Sequence, residues 1–309
     1  MKLKKTLSLC LAAVLTAGLV GCGSTATTSE STAESESAAS TAETGSTEAD
    51  AAAAPDGDGD PTTLTVAMEC AYAPYNWTQS DDSNGAVQIR DSSDYAYGYD
   101  VMMAKKIADA LGQKVQVVKL DWDSLIPAVM SGDVDCVIAG QSITSERAQQ
   151  VDFSDPYYYA SIITLVKKDG PYASAKSVAD LSGAVCTSQL GTIWYDNCLP
   201  QIPDADILPA QETAPAMLVA LESGACDVVV TDRPTAQAAT VAYPDFVALD
   251  FGGGDGDFEV SDEDINIGIS MKKGNTALKD AINGVLATMT TDDYNTMMDE
   301  AISVQPLSE

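Results

Sequence analysis

Residues 122–158, WDSLIPAVMSGDVDCVIAGQSITSERAQQVDFSDPYY, contain the pattern that decides the fold. DSLIPAVMSG predicts a helix with a glycine stop, and DVDCVIAG predicts the strand that follows it. A polar turn with Gln141, Ser142 and Thr144 comes directly after the strand, and Arg147 follows the turn. The segment therefore predicts a helix–strand unit with polar side chains at the carboxyl end of its strand.

The same alternation continues on both sides of this segment. LTVAM (64–68) predicts a buried strand, and YDVMMAKKIADALG (99–112) places apolar residues at helical spacing. Further strands are predicted at KVQVVKL, SIITLVKK, GAVCTS and CDVVVTD, with helices near 193–199 and 213–223. Alternating strands and helices predict α/β layers with mainly parallel sheets, in which ligands bind at the carboxyl ends of the strands.

Two of the predicted strand ends carry opposite charges. Arg147, one of three arginines in the chain, follows one strand, and Asp232 ends another. A guanidinium with neighbouring hydroxyl and backbone donors suits a carboxylate, and a lone aspartate suits an ammonium group. Together these two side chains could hold the two ends of a free amino acid.

Each candidate residue also has a purely structural interpretation. Arg147 fits a solvated helix residue behind an N-cap at Thr144, and Asp232 fits a helix N-cap that contacts no ligand. Tyr72 and Trp122 are of a type that more often packs in a core than contacts a ligand. The composition of the chain leaves these alternatives open.

Charge and composition exclude several classes of function. The chain has 309 residues and a formal net charge of −30, which argues against nucleic-acid binding through a basic patch. It has no histidine, so a Ser-His-Asp triad, a Cys-His pair and histidine-ligated metal sites are excluded. DGDGD (56–60) lacks the remaining ligands of a calcium loop, and no pattern indicates a metal or a cofactor.

The first 60 or so residues predict an export signal and a tether. Residues 1–22 combine a basic start, a short apolar run and LVGC, and they resemble a bacterial lipoprotein signal peptide in which Cys22 becomes the lipid anchor. An uncleaved anchor or an ordinary secretory signal is the alternative. Residues 23–61 are rich in Ser, Thr, Ala and Glu and predict a disordered linker. The mature protein is therefore expected on the extracytoplasmic face of the cell membrane.

Several stretches beyond residue 61 match one known family. They are YAPYNW (72–77), GYDVMMAKKIADALG (98–112), residues 122–158 quoted above, QLGT (189–192), DVVVTDRP (227–234) and INIGISMKKGN (265–275). From about residue 62 onward the chain resembles the family 3 extracellular solute-binding proteins, the amino-acid receptors of ATP-binding-cassette (ABC) importers. The resemblance implies an α/β, two-lobed periplasmic-binding-protein-like (type II) fold with two hinge strands. It places lobe 1 at 62–163 and 267–309, and lobe 2 at 164–266.

The resemblance also implies a role for individual residues of this sequence. Gly140, Ser142, Thr144 and Arg147 would hold the ligand α-carboxylate, with further donors from the turn at Gln189, Gly191 and Thr192. Asp232 would pair with the α-ammonium group. The substrate-binding residues implied in this way are Glu69, Tyr72, Trp122, Gly140, Ser142, Arg147, Gln189, Thr192 and Asp232.

The implied function is capture of a polar amino acid between closing lobes and its presentation to an ABC permease. Glu69 lies where some receptors for basic amino acids carry an acid, which hints at a cationic ligand. The protein is expected to be a monomer and not an enzyme. A dehydratase of the same fold, acting on prephenate or arogenate, is the alternative, because Glu69 could serve as its general acid or base.

Two features stay without an assigned role. The segment at 79–97 is longer than the usual hairpin at that place in the family. Five cysteines follow Cys22, and among them Cys186 and Cys198 are candidates for a disulfide.

Overall fold

The computed structural model describes residues 60–306. The predicted signal peptide, its lipid-anchor Cys22 and nearly all of the linker predicted at 23–61 lie outside the described residues. Between residues 60 and 306, no helix has the length and apolar character needed to cross a membrane.

Strands and helices alternate through most of the described chain. The strands are β1 Thr63–Met68, β2 Ala71–Tyr72, β3 Asn76–Gln79, β4 Val87–Gln88, β5 Tyr95–Tyr97, β6 Lys114–Lys119, β7 Cys136–Val137, β8 Val151–Phe153, β9 Tyr158–Tyr159, β10 Ile162–Lys167, β11 Val185–Thr187, β12 Asp206–Ile207, β13 Val228–Asp232, β14 Phe246–Leu249, β15 Asn266–Ile267 and β16 Ser270–Lys272. The α-helices are α1 Tyr99–Leu111, α2 Leu125–Ser131, α3 Ser145–Gln150, α4 Ala214–Glu222, α5 Arg233–Ala242, α6 Asp262–Ile265, α7 Thr276–Leu286 and α8 Thr291–Val304.

Two five-stranded sheets of similar topology organise the chain. Sheet 1 has the order β6-β1-β7-β16-β8, and sheet 2 has the order β12-β11-β13-β10-β14. In each sheet the fourth strand runs antiparallel to both neighbours, whereas the first three strands pair in parallel. The predicted α/β class is confirmed, whereas the prediction of mainly parallel sheets is wrong in part: each five-stranded sheet is mixed, with two parallel and two antiparallel pairings.

The chain crosses between the two sheets twice, and the crossing segments pair with each other. It leaves sheet 1 after β8 and enters sheet 2 at β10, and it returns to sheet 1 through β16. On the way, β9 and β15 form an antiparallel pair with Tyr159 opposite Asn266 and Tyr158 opposite Ile267. The lobe boundaries at 163/164 and 266/267 stay predictions; in the structure β10 begins at Ile162.

Apolar sequence runs form the centres of both layers. Leu64, Val66 and Met68 on one face of β1 and Thr65 and Ala67 on the other are all fully buried, as expected for a central strand covered on both faces. The helix predicted at 99–112 forms as α1, and Gly112 follows it in the left-handed conformation with φ 69°. The apolar spacing of the sequence thus sets both the strand and the helix that packs on it.

The long segment at 79–97 folds onto sheet 1. Its strands β4 and β5 join β2 and β3 in a four-stranded sheet with the order β2-β3-β5-β4. The backbone N–H of Arg90 donates to the carbonyl oxygen of Val117 in β6 at 2.8 Å. The insertion is therefore an added layer at the edge of sheet 1.

The disulfide predicted between Cys186 and Cys198 is wrong. Both residues are free thiols with 0% exposure, one in β11 and the other at the end of a π-helical turn at Trp194–Cys198. Each packs into the core, where a cysteine behaves as a small apolar side chain that needs no covalent partner. Burial raises the pKa of the Cys186 thiol to about 11, which keeps the thiol protonated.

Candidate functional site

The guanidinium of Arg147 links the two sheets. Arg147 lies in α3. The N-cap of this helix, Thr144, accepts a hydrogen bond from the Arg147 backbone N–H at 3.3 Å. Nη1 of Arg147 donates to the carbonyl oxygen of Ser142, and Nη2 donates to the carbonyl oxygen of Gly191 across the cleft, both at 3.0 Å. The N-cap interpretation of Thr144 is confirmed, and the helix it caps aims Arg147 at the turn after β11.

Trp122 covers the same guanidinium. The Arg147 Cζ lies 5.5 Å from the centre of the Trp122 ring, within the range of a cation–π interaction. The Trp122 Nε1–H donates to the carbonyl oxygen of Gly191 at 3.3 Å. Trp122 is half-buried, so it is a wall of the cleft and not a core aromatic.

A cavity of about 590 Å³ opens beside Arg147, with Thr192 on the opposite wall. Burial lowers the pKa of Arg147, while the nearby carboxylates of Glu146 and Asp196 oppose this shift. An arginine remains protonated at neutral pH even so. Among the described residues, no carboxylate forms an ion pair with Arg147.

Asp232 is held at the end of β13. Its side chain caps α5 by accepting the backbone N–H of Thr235 at 2.8 Å, and it accepts a hydrogen bond from the Tyr72 hydroxyl. Asp232 is 1% exposed, and burial raises its pKa to about 6, although the bonds from Tyr72 and Thr235 work in the opposite direction. The N-cap interpretation of Asp232 is therefore correct, and its role in ligand binding stays a prediction.

Tyr72 joins the aspartate to the polar turn after β7. Its ring stacks on Tyr75 with 4.7 Å between centroids and an interplanar angle of 18°. Gly140 lies against the same ring at φ 64°, and a Cβ added to it would approach Tyr72 Cε1 to 2.7 Å. Only glycine satisfies both the left-handed backbone and this close approach.

Glu69 and Gln189 form a second buried link between the sheets. Gln189 Nε2 donates to the Glu69 carboxylate at 3.1 Å and 3.3 Å, and Gln189 and Glu69 are 1% and 4% exposed. Burial raises the pKa of Glu69 to about 7, with a smaller contribution in the same direction from Asp121. The Thr192 hydroxyl donates to the carbonyl oxygen of Gln189 at 2.7 Å, which fixes the turn that faces Arg147.

The sequence analysis missed a buried carboxylate next to the site, that of Asp100. It accepts hydrogen bonds from the Tyr157 hydroxyl and from Asn76 Nδ2, both at 2.7 Å. Asp100 occupies the same helical stripe as the buried Met103 and Ala104 of α1. A charged residue on an otherwise apolar stripe was the sequence signal that could have revealed it.

All of the predicted site residues belong to one set in which the contacts are continued by the chain itself at Gly191–Thr192 and between Gly140 and Ser142. The set runs from Glu69 and Gln189 through Thr192 and Gly191 to Arg147, Trp122 and Ser142, and from Gly140 through Tyr72 to Asp232. It consists of strand ends from both sheets, as the strand-end rule predicts. Their individual roles in ligand binding stay predictions.

The model for bacterial extracellular solute-binding proteins, family 3, matches residues 64–302. The chain belongs to this family. A probable histidine-binding protein of Campylobacter jejuni is 31% identical to this solute-binding protein over 199 residues, which are 63% of this chain and 71% of that protein. An ABC transporter glutamine-binding protein of Bacillus subtilis is 33% identical over 210 residues, 65% of this chain and 70% of that protein.

Solved structures share the fold of this solute-binding protein. An amino acid ABC transporter substrate-binding protein of Streptococcus pneumoniae bound to L-arginine has a TM-score of 0.68 and 26% identity, covering 79% of this chain and 95% of that one. The ancestral amino acid-binding protein AncCDT-1, a precursor of cyclohexadienyl dehydratase, has a TM-score of 0.63 and 32% identity, covering 78% and 96%. The two-lobed type II fold with two crossing strands is confirmed.

Proposed function

We propose that this solute-binding protein is the extracytoplasmic amino-acid receptor of an ABC importer. In this proposal Arg147 binds the α-carboxylate of the ligand and Asp232 binds its α-ammonium group. One observation carries the proposal: a guanidinium and a carboxylate without ion-pair partners among the described residues lie at or after the ends of strands of opposite sheets, and the turn from Gly140 to Ser142 contacts both Arg147 and Tyr72, the partner of Asp232.

The chemistry of the arginine end suits a carboxylate. Both Arg147 nitrogens that face the cleft donate to neutral backbone carbonyl oxygens, of Ser142 and Gly191. A carboxylate is a stronger acceptor for the same two donors, because both partners are then charged and the fork can bind both oxygens. Closure of the lobes around the ligand would remove water from this pair, and the closed form would be what the permease recognises.

The part of the site proposed to hold the side chain of the ligand favours a polar amino acid with a cationic group. Four carboxylate side chains line a second cavity of about 300 Å³, those of Glu69, Asp121, Asp123 and Glu212. Trp122 borders this cavity and the larger one beside Arg147. An anionic side chain would meet like charges here, whereas an ammonium or guanidinium group would pair with them.

An enzyme of the dehydratase type is the second candidate. The likeness to AncCDT-1 favours it, and so does Glu69, since a carboxyl group with a pKa of about 7 can donate or accept a proton at neutral pH. The relatives named above are described as binding proteins, and we propose that this chain is one as well. Conversion of prephenate or arogenate by the purified protein would favour the enzyme, and slow release of an unchanged ligand would favour the receptor.

The proposed setting of the receptor follows from the sequence. Cys22 would carry the lipid anchor, and residues 23–61 would let a monomeric binding domain stand away from the membrane to meet its permease. Mass spectrometry of the protein purified from membranes would test the anchor. Acyl chains on an N-terminal Cys22 are expected, and an unmodified Cys22 would contradict this part of the proposal.

A thermal-shift screen against the standard amino acids tests the proposed function. A ligand at 100 times its dissociation constant adds about 2.7 kcal/mol to the free energy of unfolding, so a true ligand is expected to raise the melting temperature clearly. The Arg147→Ala variant is the matched control and should lose this response. A screen in which no amino acid stabilises the wild-type protein would contradict the proposal.

A further inference from the structure

Asp100 is a fully buried carboxylate that is absent from the set of predicted ligand contacts. It lies in the first turn of α1 with 0% exposure. Its two oxygens accept from different donors, Oδ1 from the Tyr157 hydroxyl and Oδ2 from Asn76 Nδ2. Burial raises its pKa to about 7, while both hydrogen bonds favour the charged form. A group that is costly to bury is therefore kept at this place by two specific donors.

One of these donors leads to the loop that carries the arginine end. The Tyr157 hydroxyl accepts the backbone N–H of Gly140 at 3.0 Å while donating to Asp100. The Tyr157 ring is itself fixed by stacking on Tyr99, with 5.8 Å between centroids and an interplanar angle of 15°. The turn that starts at Gly140 continues to Ser142 and Arg147, so its position depends on this hydroxyl.

The other donor leads to the loop that carries Glu69 and Tyr72. Oδ1 of Asn76 accepts the backbone N–H of Cys70 at 2.7 Å, while Nδ2 of the same amide donates to Asp100. Cys70 lies directly after Glu69 and has φ 54°, a conformation that is uncommon for a residue other than glycine. The hydrogen bond that the Cys70 N–H donates to Asn76 therefore holds the loop in a conformation that it would not otherwise favour.

We propose that Asp100 is a positioning residue that holds both ligand-facing loops of lobe 1 in one fixed arrangement. Two chains of hydrogen bonds converge on it, from the Cys70 N–H through Asn76 and from the Gly140 N–H through Tyr157. Each of these four bonds has a defined donor and acceptor. Because the Asp100 carboxylate can only accept, it fixes the donor-to-acceptor direction along both chains. The inference rests on the proposed function, since it assumes that these two loops contact the ligand.

An exchange of two side chains tests this arrangement. In Asp100→Asn, the new amide oxygen can accept from only one of the two donors, so its NH₂ group faces either the Asn76 amide NH₂ or the Tyr157 hydroxyl, whose proton then loses its acceptor. In Asn76→Asp, two carboxylates face each other. The double variant Asn76→Asp with Asp100→Asn restores every bond with the same net charge. The carboxylate introduced at position 76 would accept from Cys70 and from the amide introduced at position 100, and the oxygen of that amide would accept from Tyr157.

Two measurements on these variants read out the positions of the loops. Amide hydrogen exchange at Cys70 and Gly140 needs no ligand, and calorimetry gives the affinity for the amino acid found in the thermal-shift screen. Each single variant is expected to speed exchange at both amides and to weaken binding by about tenfold or more, as for the loss of a hydrogen bond to a charged group. The double variant is expected to recover both values to within about threefold of wild type.

A further variant separates the two branches. Tyr157→Phe removes the bonds from the Tyr157 hydroxyl to Gly140 and to Asp100 and leaves the branch through Asn76 in place, so faster exchange is expected at Gly140 and not at Cys70. The proposal is overturned if Asp100→Asn leaves exchange and affinity unchanged, or if the double variant folds or binds no better than the single variants. If the wild-type protein binds no amino acid, the proposed function fails, while the exchange data still decide the role of Asp100.

Discussion

The two ends of the cleft hold opposite charges in different ways. At the arginine end, Arg147 lies beside an open cavity, is covered by Trp122 and donates to backbone carbonyl oxygens from both lobes. At the aspartate end, Asp232 is almost fully buried and accepts from the Tyr72 hydroxyl and a helix N-terminus. The first end therefore borders open space, and the second is enclosed on all sides.

This difference indicates how each end contributes to the free energies of folding and binding. A buried carboxylate without a cationic partner destabilises the folded protein, and a ligand ammonium group would relieve that cost. A guanidinium at the edge of a cavity costs less to maintain, and it contributes mainly when a carboxylate binds. The aspartate end should therefore affect stability and its pH dependence, and the arginine end should affect affinity.

The largest expected effect is the loss of affinity in Arg147→Ala. The substitution should cost roughly 2–5 kcal/mol of binding free energy, because a ligand carboxylate would be enclosed without its partner. Arg147→Lys keeps the positive charge but loses the bidentate donor geometry, so its affinity should lie between those of the alanine variant and the wild type. Calorimetry with the amino acid from the screen gives these values. Binding by Arg147→Ala within about threefold of wild type would remove Arg147 from the site.

The second effect is on stability as a function of pH. The pKa of Asp232 is raised to about 6 in the folded protein, so its stabilising contribution is fully present below the unfolded value of 3.8 and is lost as pH rises through 6. The loss is on the order of 3 kcal/mol, at about 1.36 kcal/mol per pKa unit. Asp232→Asn keeps an N-cap residue and should make the free energy of unfolding fall less between pH 4 and pH 7.

Urea unfolding at several pH values measures this second effect. Arg147→Ala is the matched control, since removing the arginine should leave the fall with pH close to that of wild type. Equal slopes for Asp232→Asn and the wild-type protein would contradict the assignment of a raised pKa to Asp232.

A smaller effect is expected when the donor to Asp232 is removed. Tyr72→Phe leaves one carboxylate oxygen without its hydrogen bond and should lower the free energy of unfolding by about 1–2 kcal/mol at pH 7. Tyr97→Phe is the control, because the Tyr97 hydroxyl donates to the exposed Glu300 at 3.1 Å and should matter less. If Tyr72→Phe and Tyr97→Phe lowered the free energy of unfolding equally, burial of Asp232 would not explain the effect of Tyr72→Phe.

The smallest effect is expected at a second arginine close to the aspartate end. Arg233 follows Asp232 directly and pairs with Asp250 at 2.5 Å, with side chains that are 42% and 44% exposed. Exposed ion pairs contribute about 0–1 kcal/mol, so Arg233→Ala should change neither stability nor affinity by more than this. A loss of affinity as large as that of Arg147→Ala, measured in the same titrations, would show that the cavity beside Arg147 and the exposed ion pair of Arg233 do not distinguish the roles of the two arginines.

The strand ends were predictable from the sequence, whereas the partners of their side chains were not. The apolar runs around β7 and β13 and the polar residues that follow these strands identified Arg147 and Asp232, because ligands bind at the carboxyl ends of parallel strands. The carbonyl oxygen of Gly191 as a partner of Arg147 could not be predicted, since it comes from the other lobe. The spacing of residues along the sequence does not indicate which atoms of the two lobes come into contact across the cleft.

Other features were missed for local reasons. The crossing strands β9 and β15 have two residues each, which is too short for any periodicity to appear, so the two hinge strands were expected from the family resemblance alone. Asp100 was overlooked because an acidic residue in the first turn of a helix is ordinary on a helix surface. Cys186 and Cys198 were candidates for a disulfide because both lie in the predicted lobe 2, which does not give the distance or the direction of their sulfur atoms.

The most direct test of the central claim uses calorimetry with modified ligands. The amino acid found in the screen is compared with its N-acetyl derivative, which lacks the ammonium charge, and with its amide, which lacks the carboxylate. If Arg147 and Asp232 bind the two ends of the ligand, each derivative should bind at least about 100-fold more weakly, a loss of roughly 2.7 kcal/mol. Binding of either derivative within about threefold of the free amino acid would contradict the claim.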